Sequence, residues 1–338
     1  MKVTIYDVAK KAGVSIATVS KVINNTGNMR ESTRQRVKEV MEELNYYPNV
    51  LASALMGKGT KTIGFLVQDI SNPFFSQLAK VIEDRVHEKG FNVFISSTDD
   101  DEVKEKKYIE LMEQKQVDGF IVSSTYKNKD ILKNLIERDL PLIMLTQDDP
   151  ELNVSKVSID DFKGGYEATS HLLQNGHRKI AIIAEKLSNS SDKRLEGYLS
   201  ALKTYDVQVN KDLIIRINPS IENGMKSLNM LLKLAREYRP TGIFACNEQL
   251  AIGVMLAARE HGIQIPNELS LVGFDDTILA TTTVPRLTTI AQPIEEMGRK
   301  TVDLLIEEIE SGVSKQERVL FNPQLIIRET TGRVQNNY

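Results

Sequence analysis

The strongest constraint on the fold is an alternation that runs from Thr62 to near the end of the chain. Short apolar segments alternate with longer segments that have the 3.6-residue period of an amphipathic helix. The strand-like segments are TIGFLVQ, NVFISST, VDGFIVSS and PLIMLTQ before Asp161, and KIAIIAE, LIIRIN, TGIFACN and LSLVGFD after it. Such runs are typical of parallel sheets covered by helices. They predict two doubly wound parallel-sheet α/β subdomains, with a ligand cleft between them at the strand carboxyl ends.

The first 48 residues lack this alternation and predict three short helices. Thr4 can cap the first helix and Gly13 can end it, Ser15 can cap the second, and the third covers Ser32 to Leu44. The inward-facing apolar positions are Ile5, Val8, Ala9, Ala12, Val19, Val22, Ile23, Val37, Val40, Met41 and Leu44. A glycine turn between two small helices is typical of a helix-turn-helix unit, whose second helix enters a DNA major groove. A plain helical cap is the alternative.

The charge distribution favours the DNA-binding interpretation. Residues 1–61 carry ten Lys or Arg against five Asp or Glu, whereas the rest of the chain carries 33 against 41. A basic module attached to an acidic body is typical of a protein that binds a polyanion through one end. A solvated basic surface would also account for the charge alone.

Cysteine usage and hydropathy indicate where the protein works. The single cysteine, Cys246, excludes a disulfide framework and a cysteine-cluster metal site, and suggests a reducing compartment. No apolar run approaches the roughly 18 residues of a membrane span, and the N-terminus lacks the apolar stretch of a signal peptide. We therefore expect a cytoplasmic protein with no membrane partner.

The wording of the N-terminal segment is more specific than its pattern. TIYDVAKKAGVSIATVSKVIN, followed by TRQRVKEVMEELNYYPNVLASAL, closely resembles the headpiece of the lac repressor (LacI/GalR) family of transcriptional regulators, especially its catabolite-control and degradation-activator branch. The resemblance implies base contacts by Ile16, Ala17 and Lys21. It implies phosphate contacts by Tyr6, Ser15, Thr18, Ser20 and Asn24. Most relatives have arginine at the position of Lys21, so a single ammonium replaces a bidentate fork and guanine recognition is expected to be looser.

The next segment, NVLASALMGKGTK, predicts a marginal helix from Val50 to Met56, capped by Asn49 and ended by Gly57. An unstructured linker is the alternative. By resemblance this is the family's hinge helix, which orders when two subunits meet over the operator. Leu55 then corresponds to the leucine that is inserted into the minor groove at the central base step and kinks the duplex. The resemblance thus implies a homodimer that binds a pseudo-palindromic double-stranded DNA operator.

The resemblance continues to about Thr331 through QDISNPFF, VDGFIV, NGHRKIAII, RLEGY, FACNEQLAIG, LVGFDDT and LTTIAQP. It implies a periplasmic-binding-protein-like (type I) body whose cleft binds a small polar effector, such as a sugar or a related metabolite. The implied effector-binding residues are Phe74, Phe75, Thr146, Arg194, Asn247, Asp275 and Gln292. Several sugar-binding relatives have aspartate at the position of Thr146, and its absence here weakens the prediction that the effector is a common pentose or hexose. A structural ion pair between Arg194 and Asp275 is the alternative.

These features predict four regions: a headpiece over 1–48, a hinge over 49–61, an effector and dimerisation domain over 62–331, and a tail over 332–338. An enzyme is disfavoured because the four histidines show no metal spacing and GKGTK is too short for a phosphate loop. We expect no metal or cofactor. A transporter's solute-binding protein is disfavoured by the added headpiece. Control by a phosphorylated carrier protein is the alternative to a small effector, but the position that carries arginine in regulators of that type is Asp303 here.

Overall fold

The computed structural model describes residues 3–23, 26–46, 59–123, 126, 129–186 and 188–334 of the 338-residue chain. The chain divides into two compact units, Met1–Thr60 and Lys61–Tyr338, and each has its own apolar core. Most of the predicted hinge, including Leu55, lies outside the described residues, as does Asn24.

The first unit contains the three predicted helices, and their ends follow from local hydrogen bonding. Thr4 begins the first helix by donating from its backbone N–H (2.8 Å) and its hydroxyl (2.7 Å) to the Asp7 carboxylate. Gly13 ends it with φ +64°, a conformation that costs glycine little. The Ser15 hydroxyl begins the second helix by accepting from the Thr18 N–H at 3.1 Å. The helices are α1 (Ile5–Ala12), α2 (Ile16–Ile23) and α3 (Glu31–Glu43).

The three helices share a small core. Its buried residues are Val8, Ala9, Ala12, Val19, Val22, Val37 and Val40. All seven belong to the predicted apolar set, and the third helix begins and ends one residue earlier than predicted. The stripes of α1, α2 and α3 therefore bury one another and leave one side of α2 exposed.

The second unit contains two six-stranded sheets. The first sheet is made of β1 (Thr62–Val67), β2 (Asn92–Ser97), β3 (Gly119–Ser123), β4 (Leu142–Leu145), β5 (Ser155–Ile159) and β11 (Arg318–Phe321). The second is made of β6 (Ile180–Glu185), β7 (Ile214–Ile217), β8 (Gly242–Ala245), β9 (Ser270–Asp275), β10 (Thr288–Ala291) and β12 (Gln324–Ile326). Their orders are β11-β5-β4-β3-β1-β2 and β12-β10-β9-β8-β6-β7.

All strand pairs are parallel except β12 with β10, and Phe65 of β1 lies between Ile121 of β3 and Ile95 of β2. The helices are α4 (Pro73–Glu88), α5 (Glu102–Gln114), α6 (Lys129–Glu137), α7 (Asp161–Gln174), α8 (Asn189–Thr204), α9 (Ile221–Leu231), α10 (Glu248–Glu260), α11 (Ile278–Thr282) and α12 (Ile294–Ser311). Two short 3-10 helices cover Lys211–Leu213 and Arg236–Tyr238. The two predicted doubly wound subdomains are confirmed, since all eight predicted strands are present. Strands β5, β10, β11 and β12 were not predicted.

Within the described residues, the chain crosses between the two sheets three times. The crossings run from Ile159 to Asp161, from Ala291 to Ile294 and from Phe321 to Gln324. Consequently α12, which follows a strand of the second sheet, packs in the core of the first sheet through residues such as Met297, Val302 and Leu305. Three short connections between two rigid sheets create a cleft at the strand carboxyl ends.

Candidate functional site

One side of the second headpiece helix carries the residues predicted to read bases. Ile16, Ala17 and Lys21 are all exposed, and Ile16 presents 39% of its surface to solvent. Tyr6, on α1, is 67% exposed. None of these four side chains contributes to the buried headpiece core, so they are free to contact a partner.

The predicted phosphate contacts differ from one another in exposure. Ser15 is exposed, whereas Thr18 and Ser20 are half-buried. The hydroxyl groups of Ser15 and Thr18 lie 2.9 Å apart at the start of α2, where the Ser15 hydroxyl also caps the helix by accepting from the Thr18 N–H. Backbone N–H groups at a helix N-terminus attract phosphate, so this end of α2 has the polarity that DNA binding needs.

The second unit contains a cleft of about 990 Å³ between its two sheets. Residues from both subdomains form its walls, and all seven predicted effector residues line it. They are Phe74, Phe75, Thr146, Arg194, Asn247, Asp275 and Gln292. The structure thus brings together residues separated by up to 218 positions in sequence. The cleft they line has the volume typical of small-molecule sites.

Arg194 is the central cation of the cleft wall. Its Nε donates to Asp161 Oδ1 at 2.7 Å, its Nη1 donates to the Cys246 carbonyl, and its guanidinium lies 3.5 Å from the centroid of the Phe274 ring. The side chain is held in position because α7 and α8 approach closely: a Cβ at Gly165 would lie 2.1 Å from the Arg194 carbonyl oxygen. The ion-pair partner is therefore Asp161 rather than Asp275, which corrects the predicted structural alternative.

Asp275 ends β9 in a conformation unusual for aspartate. Its φ is +113°, and that of the following Asp276 is +59°. One carboxylate oxygen of Asp275 accepts a hydrogen bond from Gln292 Nε2 at 2.8 Å. Burial raises the pKa of Asp275 well above its usual value, and nearby Arg194 only partly opposes that shift. Asp275 can therefore act as a hydrogen-bond acceptor or, when protonated, as a donor.

Asn247 and Thr146 lie at the ends of strands in opposite subdomains. Asn247 caps α10 by accepting from the Leu250 N–H at 2.9 Å, and its amide donates to Glu185. Thr146, with φ +66°, places its hydroxyl 3.0 Å from that of Ser123. Its carbonyl accepts from the Ser190 hydroxyl at 3.2 Å, which joins the two walls across the cleft.

The apolar part of the cleft comes from the start of α4. Asn72 caps this helix by accepting from the Phe74 N–H at 3.0 Å. Phe74 and Phe75 are both buried, with ring centroids 5.2 Å apart at an interplanar angle of 70°. Their arrangement gives the cleft an aromatic wall in addition to its polar residues.

Sequence reasoning missed several polar residues of the cleft. Glu185 was overlooked although it ends β6, which is the signal that could have found it. Asp161, which does not line the cleft but pairs with Arg194, was overlooked as well. Other residues of the cleft wall that were not predicted include Gln68, Asp69, Asn72, Asp99, Asp100, Tyr126 and Ser190. By contrast, Asp148 and Asp149 pair with Arg318 and Lys129 instead of lining the cleft, so neither supplies the carboxylate that Thr146 lacks.

Other reactive residue types have structural roles. His177 lies 2.9 Å from the Thr241 hydroxyl and 3.1 Å from the Gly332 carbonyl oxygen. Burial raises the pKa of the Cys246 thiol to about 12, as expected of a core residue. In the described part of the chain, no group of three or more His, Cys, Asp or Glu residues could hold a metal ion. Across the described helices, none combines the length and apolarity needed to cross a membrane.

The fold and the cleft define a class of protein: a transcriptional regulator in which a helix-turn-helix unit precedes a periplasmic-binding-protein-like ligand-binding domain. Comparison with protein families agrees at both ends of the chain. Residues 4–49 match the model described as bacterial regulatory proteins, lacI family, and residues 169–331 match a periplasmic binding protein-like domain.

Individual relatives cover nearly the whole chain. The HTH-type transcriptional regulator DegA of Bacillus subtilis (strain 168) is 44% identical over 98% of both chains. The lac repressor dimer bound to operator and the anti-inducer ONPF superposes with a TM-score of 0.85 at 29% identity, covering 98% of this chain and 100% of that one. A complex of the regulator CelR with cellobiose gives a TM-score of 0.74 at 27% identity, covering 97% and 99%. The chain belongs to the LacI family of DNA-binding transcriptional regulators.

Proposed function

We propose that the protein binds a pseudo-palindromic operator as a homodimer and that a small polar effector in the cleft modulates its affinity for DNA. One observation carries the proposal: seven residues predicted from separate motifs converge on one cleft of about 990 Å³ in a chain that also has an exposed recognition helix. An operator-binding dimer in the cytoplasm, acting as a repressor, is the arrangement that fits both parts. Residues 1–48, 49–61 and 62–331 are the corresponding headpiece, hinge and effector domain.

At the operator, we assign two roles to the headpiece. Ile16 and Ala17 are short and apolar, and therefore suit contact with thymine methyl groups, while Lys21 suits a guanine acceptor. The remaining contacts are the wedge at Leu55 and phosphate contacts by Tyr6, Ser15, Thr18, Ser20 and Asn24. Two headpieces related by a two-fold axis would read two half-sites.

The charge of the cleft favours an uncharged effector over a phosphorylated one. Among the described residues that line it, six are carboxylates, namely Asp69, Asp99, Asp100, Glu185, Asp192 and Asp275, and two are cations, Lys186 and Arg194. Arg194 is already paired with Asp161. Asp99 and Asp192 are paired as well, with Lys104 and Arg216, and burial raises the pKa of Glu185 and Asp275. A phosphate would therefore find few available cations in this wall, whereas sugar hydroxyls can donate to its carboxyl groups and a sugar ring can pack on the aromatic side chains.

The alternative, control by a phosphorylated carrier protein, finds little support on α12. Asp303 accepts from Arg85 Nε at 2.9 Å and Nη2 at 2.7 Å, so its pairing joins α12 to α4. The neighbouring cations are also paired: Arg299 contacts Glu88 at 2.8 Å, and Lys300 contacts Glu317 at 2.9 Å. A phosphate would have to displace these carboxylates.

The DNA-binding part is tested by selecting an operator from random duplexes and measuring its affinity as salt concentration is varied. We expect log affinity to fall with log salt at about −0.9 per phosphate contact, with several contacts involved. Leu55→Ala should lose operator bending and affinity but keep weak nonspecific binding. DNA binding that does not depend on salt, or equal bending by parent and variant, would contradict the assignment.

The effector part is tested by matched ligands that differ only in charge. Thermal unfolding is followed with glucose and glucose 6-phosphate, with cellobiose, and with nucleobases and amino acids. A cleft ligand at about 100 times its Kd should add about 2.7 kcal/mol to the free energy of unfolding. We expect stabilisation by an uncharged sugar. Stabilisation by glucose 6-phosphate alone would overturn the inference from charge, and capture of operator DNA only with a phosphorylated protein would favour the alternative.

A further inference from the structure

Asp275 and Asp276 form a backbone turn that needs external support. Both have positive φ, a region that residues other than glycine seldom occupy; Asp275 is the last residue of β9 and Asp276 the first residue after it. Such a conformation persists only where surrounding groups hold it, and it is often found at functional sites. The groups that hold this turn are therefore candidates for control of the Asp275 carboxylate.

One support comes from the first residue of α10. Glu248 is 2% exposed, and its Oε1 accepts from the Thr277 backbone N–H at 2.8 Å while its Oε2 accepts from the Thr277 hydroxyl. Thr277 is itself buried and caps α11. Glu248 directly follows Asn247 of the cleft wall, so its carboxylate ties the Asp275–Thr277 turn to the same helix start that carries Asn247.

A second support comes from the segment after β12. Arg328 Nη2 lies 2.6 Å from Asp276 Oδ1, and Arg328 Nη1 donates to the Leu287 carbonyl oxygen at 3.0 Å. Both side chains of the ion pair are largely buried. The two supports thus hold the residues on the C-terminal side of Asp275, and neither Glu248 nor Arg328 lines the cleft.

We infer that Glu248 and Arg328 are positioning residues that hold Asp275 in the conformation from which its carboxyl group faces the effector. The inference rests on the proposed role of Asp275 as an effector-binding residue. The groups facing Glu248 are Thr277, Asp275 and Asp276, and Arg328 balances the charge of Asp276. Loss of either support would let the turn relax to ordinary φ values and withdraw the carboxylate of Asp275 from the cleft.

The test uses the full-length protein and variants of similar side-chain volume. Glu248→Met removes both acceptors, whereas Glu248→Gln retains an acceptor for the Thr277 N–H. Arg328→Met removes the pair with Asp276. Glu102→Gln is the control for glutamate, because Glu102 is also the first residue of a helix but is exposed. Arg286→Met is the control for arginine, since Arg286 pairs with Glu329 on the surface.

Two readouts separate positioning from general stability. The first is the pair of backbone amide NMR resonances of Asp275 and Asp276, which reports the turn without any ligand. The second is the Kd for cellobiose. We expect Glu248→Met and Arg328→Met to shift or broaden both resonances and to weaken cellobiose binding about tenfold, as when a hydrogen bond to a charged group is lost from a buried site. Glu248→Gln should keep the two resonances and the Kd for cellobiose close to those of the parent.

A core variant supplies the decisive comparison. Val254→Ala removes fully buried atoms from α10 and should lower the melting temperature without altering either readout. If Glu248→Met and Arg328→Met behave like Val254→Ala, the two residues are only structural and the inference is wrong. If Glu248→Met does not fold, Arg328→Met and Thr277→Val decide the same question. If cellobiose fails to bind the parent protein, the assignment of this sugar fails while the resonances still test the positioning role.

Discussion

The two candidate sites of this regulator solve recognition in opposite ways. In the headpiece, Ile16, Ala17 and Lys21 are exposed and stand outside the buried core. In the cleft, Arg194 is 7% exposed and Asp275 4%, and both are already hydrogen-bonded to protein groups. DNA presents a regular array of phosphates and base edges, so the headpiece side chains can remain exposed to solvent until they bind it.

The cleft has a different requirement, because a small effector offers few groups. The polar side chains that contact the effector must already be oriented and desolvated, because the cost of ordering them on binding would otherwise offset the free energy of the few contacts. Arg194 and Asp275 of the cleft are therefore buried and hydrogen-bonded within the folded body, whereas Lys21 of the headpiece is exposed and lies outside its core. Substitutions that break a buried ion pair of the cleft should lower stability as well as function, whereas those on the exposed side of α2 should change function alone.

The largest expected effect follows removal of the central cation of the cleft. Arg194→Met leaves Asp161 buried without its partner, and breaking a buried pair typically costs about 3 to 5 kcal/mol. Lys193→Met is the matched control on the same helix, because Lys193 pairs with Glu196 in solvent and such pairs contribute about 0 to 1 kcal/mol. Urea unfolding of both variants measures the difference. Equal losses would show that the cleft pair is no more built into the fold than a surface pair.

The second effect concerns pH and the buried carboxyl of Glu248. Burial raises the pKa of Glu248 to about 7 from a usual value near 4.5, so the folded state holds the proton more tightly than the unfolded state. The resulting stabilisation is complete below the unfolded pKa of about 4.5 and is lost as pH rises to about 7. The folded protein should therefore lose on the order of 2 to 3 kcal/mol between pH 5 and pH 8 from this group.

Glu248→Gln provides the control for that pH dependence, because glutamine does not titrate. The free energy of unfolding of the parent should exceed that of the variant by more at pH 5 than at pH 8. A difference that is constant with pH would mean that Glu248 is ionised throughout and that its burial is relieved in solution.

Sequence alone predicts an element when the element is a run of apolar residues, and it does not predict an element whose burial depends on specific polar contacts. The strands β1 to β4 and β6 to β9 are apolar runs and were predicted, but β5 reads SKVSI and is polar. It is buried because Ser155 donates to Glu308 at 2.5 Å, which is a contact between distant segments, and because Lys156 donates to the Asp149 carbonyl in the loop before the strand. No periodicity reveals them.

The cleft shows the same limit. Its predicted residues came from the wording of motifs that resemble a family, and the structure brings all seven to one cleft. The Asp161 partner of Arg194 was missed because it depends on the close approach of two helices at Gly165. Which charged residues pair in the cleft thus depends on how the helices pack, and this packing cannot be predicted from the pattern of the sequence.

A smaller change in stability is expected when the charge of Asp275 is removed and its shape is kept. In Asp275→Asn, the amide oxygen can still accept from Gln292, and the carboxyl group that is replaced already has a raised pKa. The free energy of unfolding should change by less than about 1 kcal/mol. Effector affinity should fall roughly ten- to a hundredfold, because effector hydroxyls that donate to Asp275 favour its ionised form, and a hydrogen bond to a charged acceptor contributes about 1.5 to 3 kcal/mol.

The measurement for Asp275→Asn is operator affinity with and without the uncharged sugar that stabilises the parent. The sugar-dependent change should disappear while affinity without sugar is retained, because a ligand shifts an equilibrium only through differential contacts. Unfolding of the body or loss of DNA binding without sugar would show that Asp275 is mainly structural. An unchanged response would remove Asp275 from the effector site.

The smallest effect on stability is expected on the exposed side of α2. Lys21→Arg alters an exposed side chain, so the free energy of unfolding should change by less than about 0.5 kcal/mol. Its consequence for DNA should be distinct, because a guanidinium can donate two hydrogen bonds to the O6 and N7 atoms of guanine where an ammonium acts as a point charge. A good bidentate pair discriminates between bases by about 1 to 3 kcal/mol. Affinities for operators that differ at one position of each half-site measure this preference, and Lys38→Arg on α3 serves as an exposed control in the same unit. If Lys21→Arg leaves the preference for guanine unchanged across these operators, Lys21 contacts phosphate rather than bases, and the recognition surface is limited to Ile16 and Ala17.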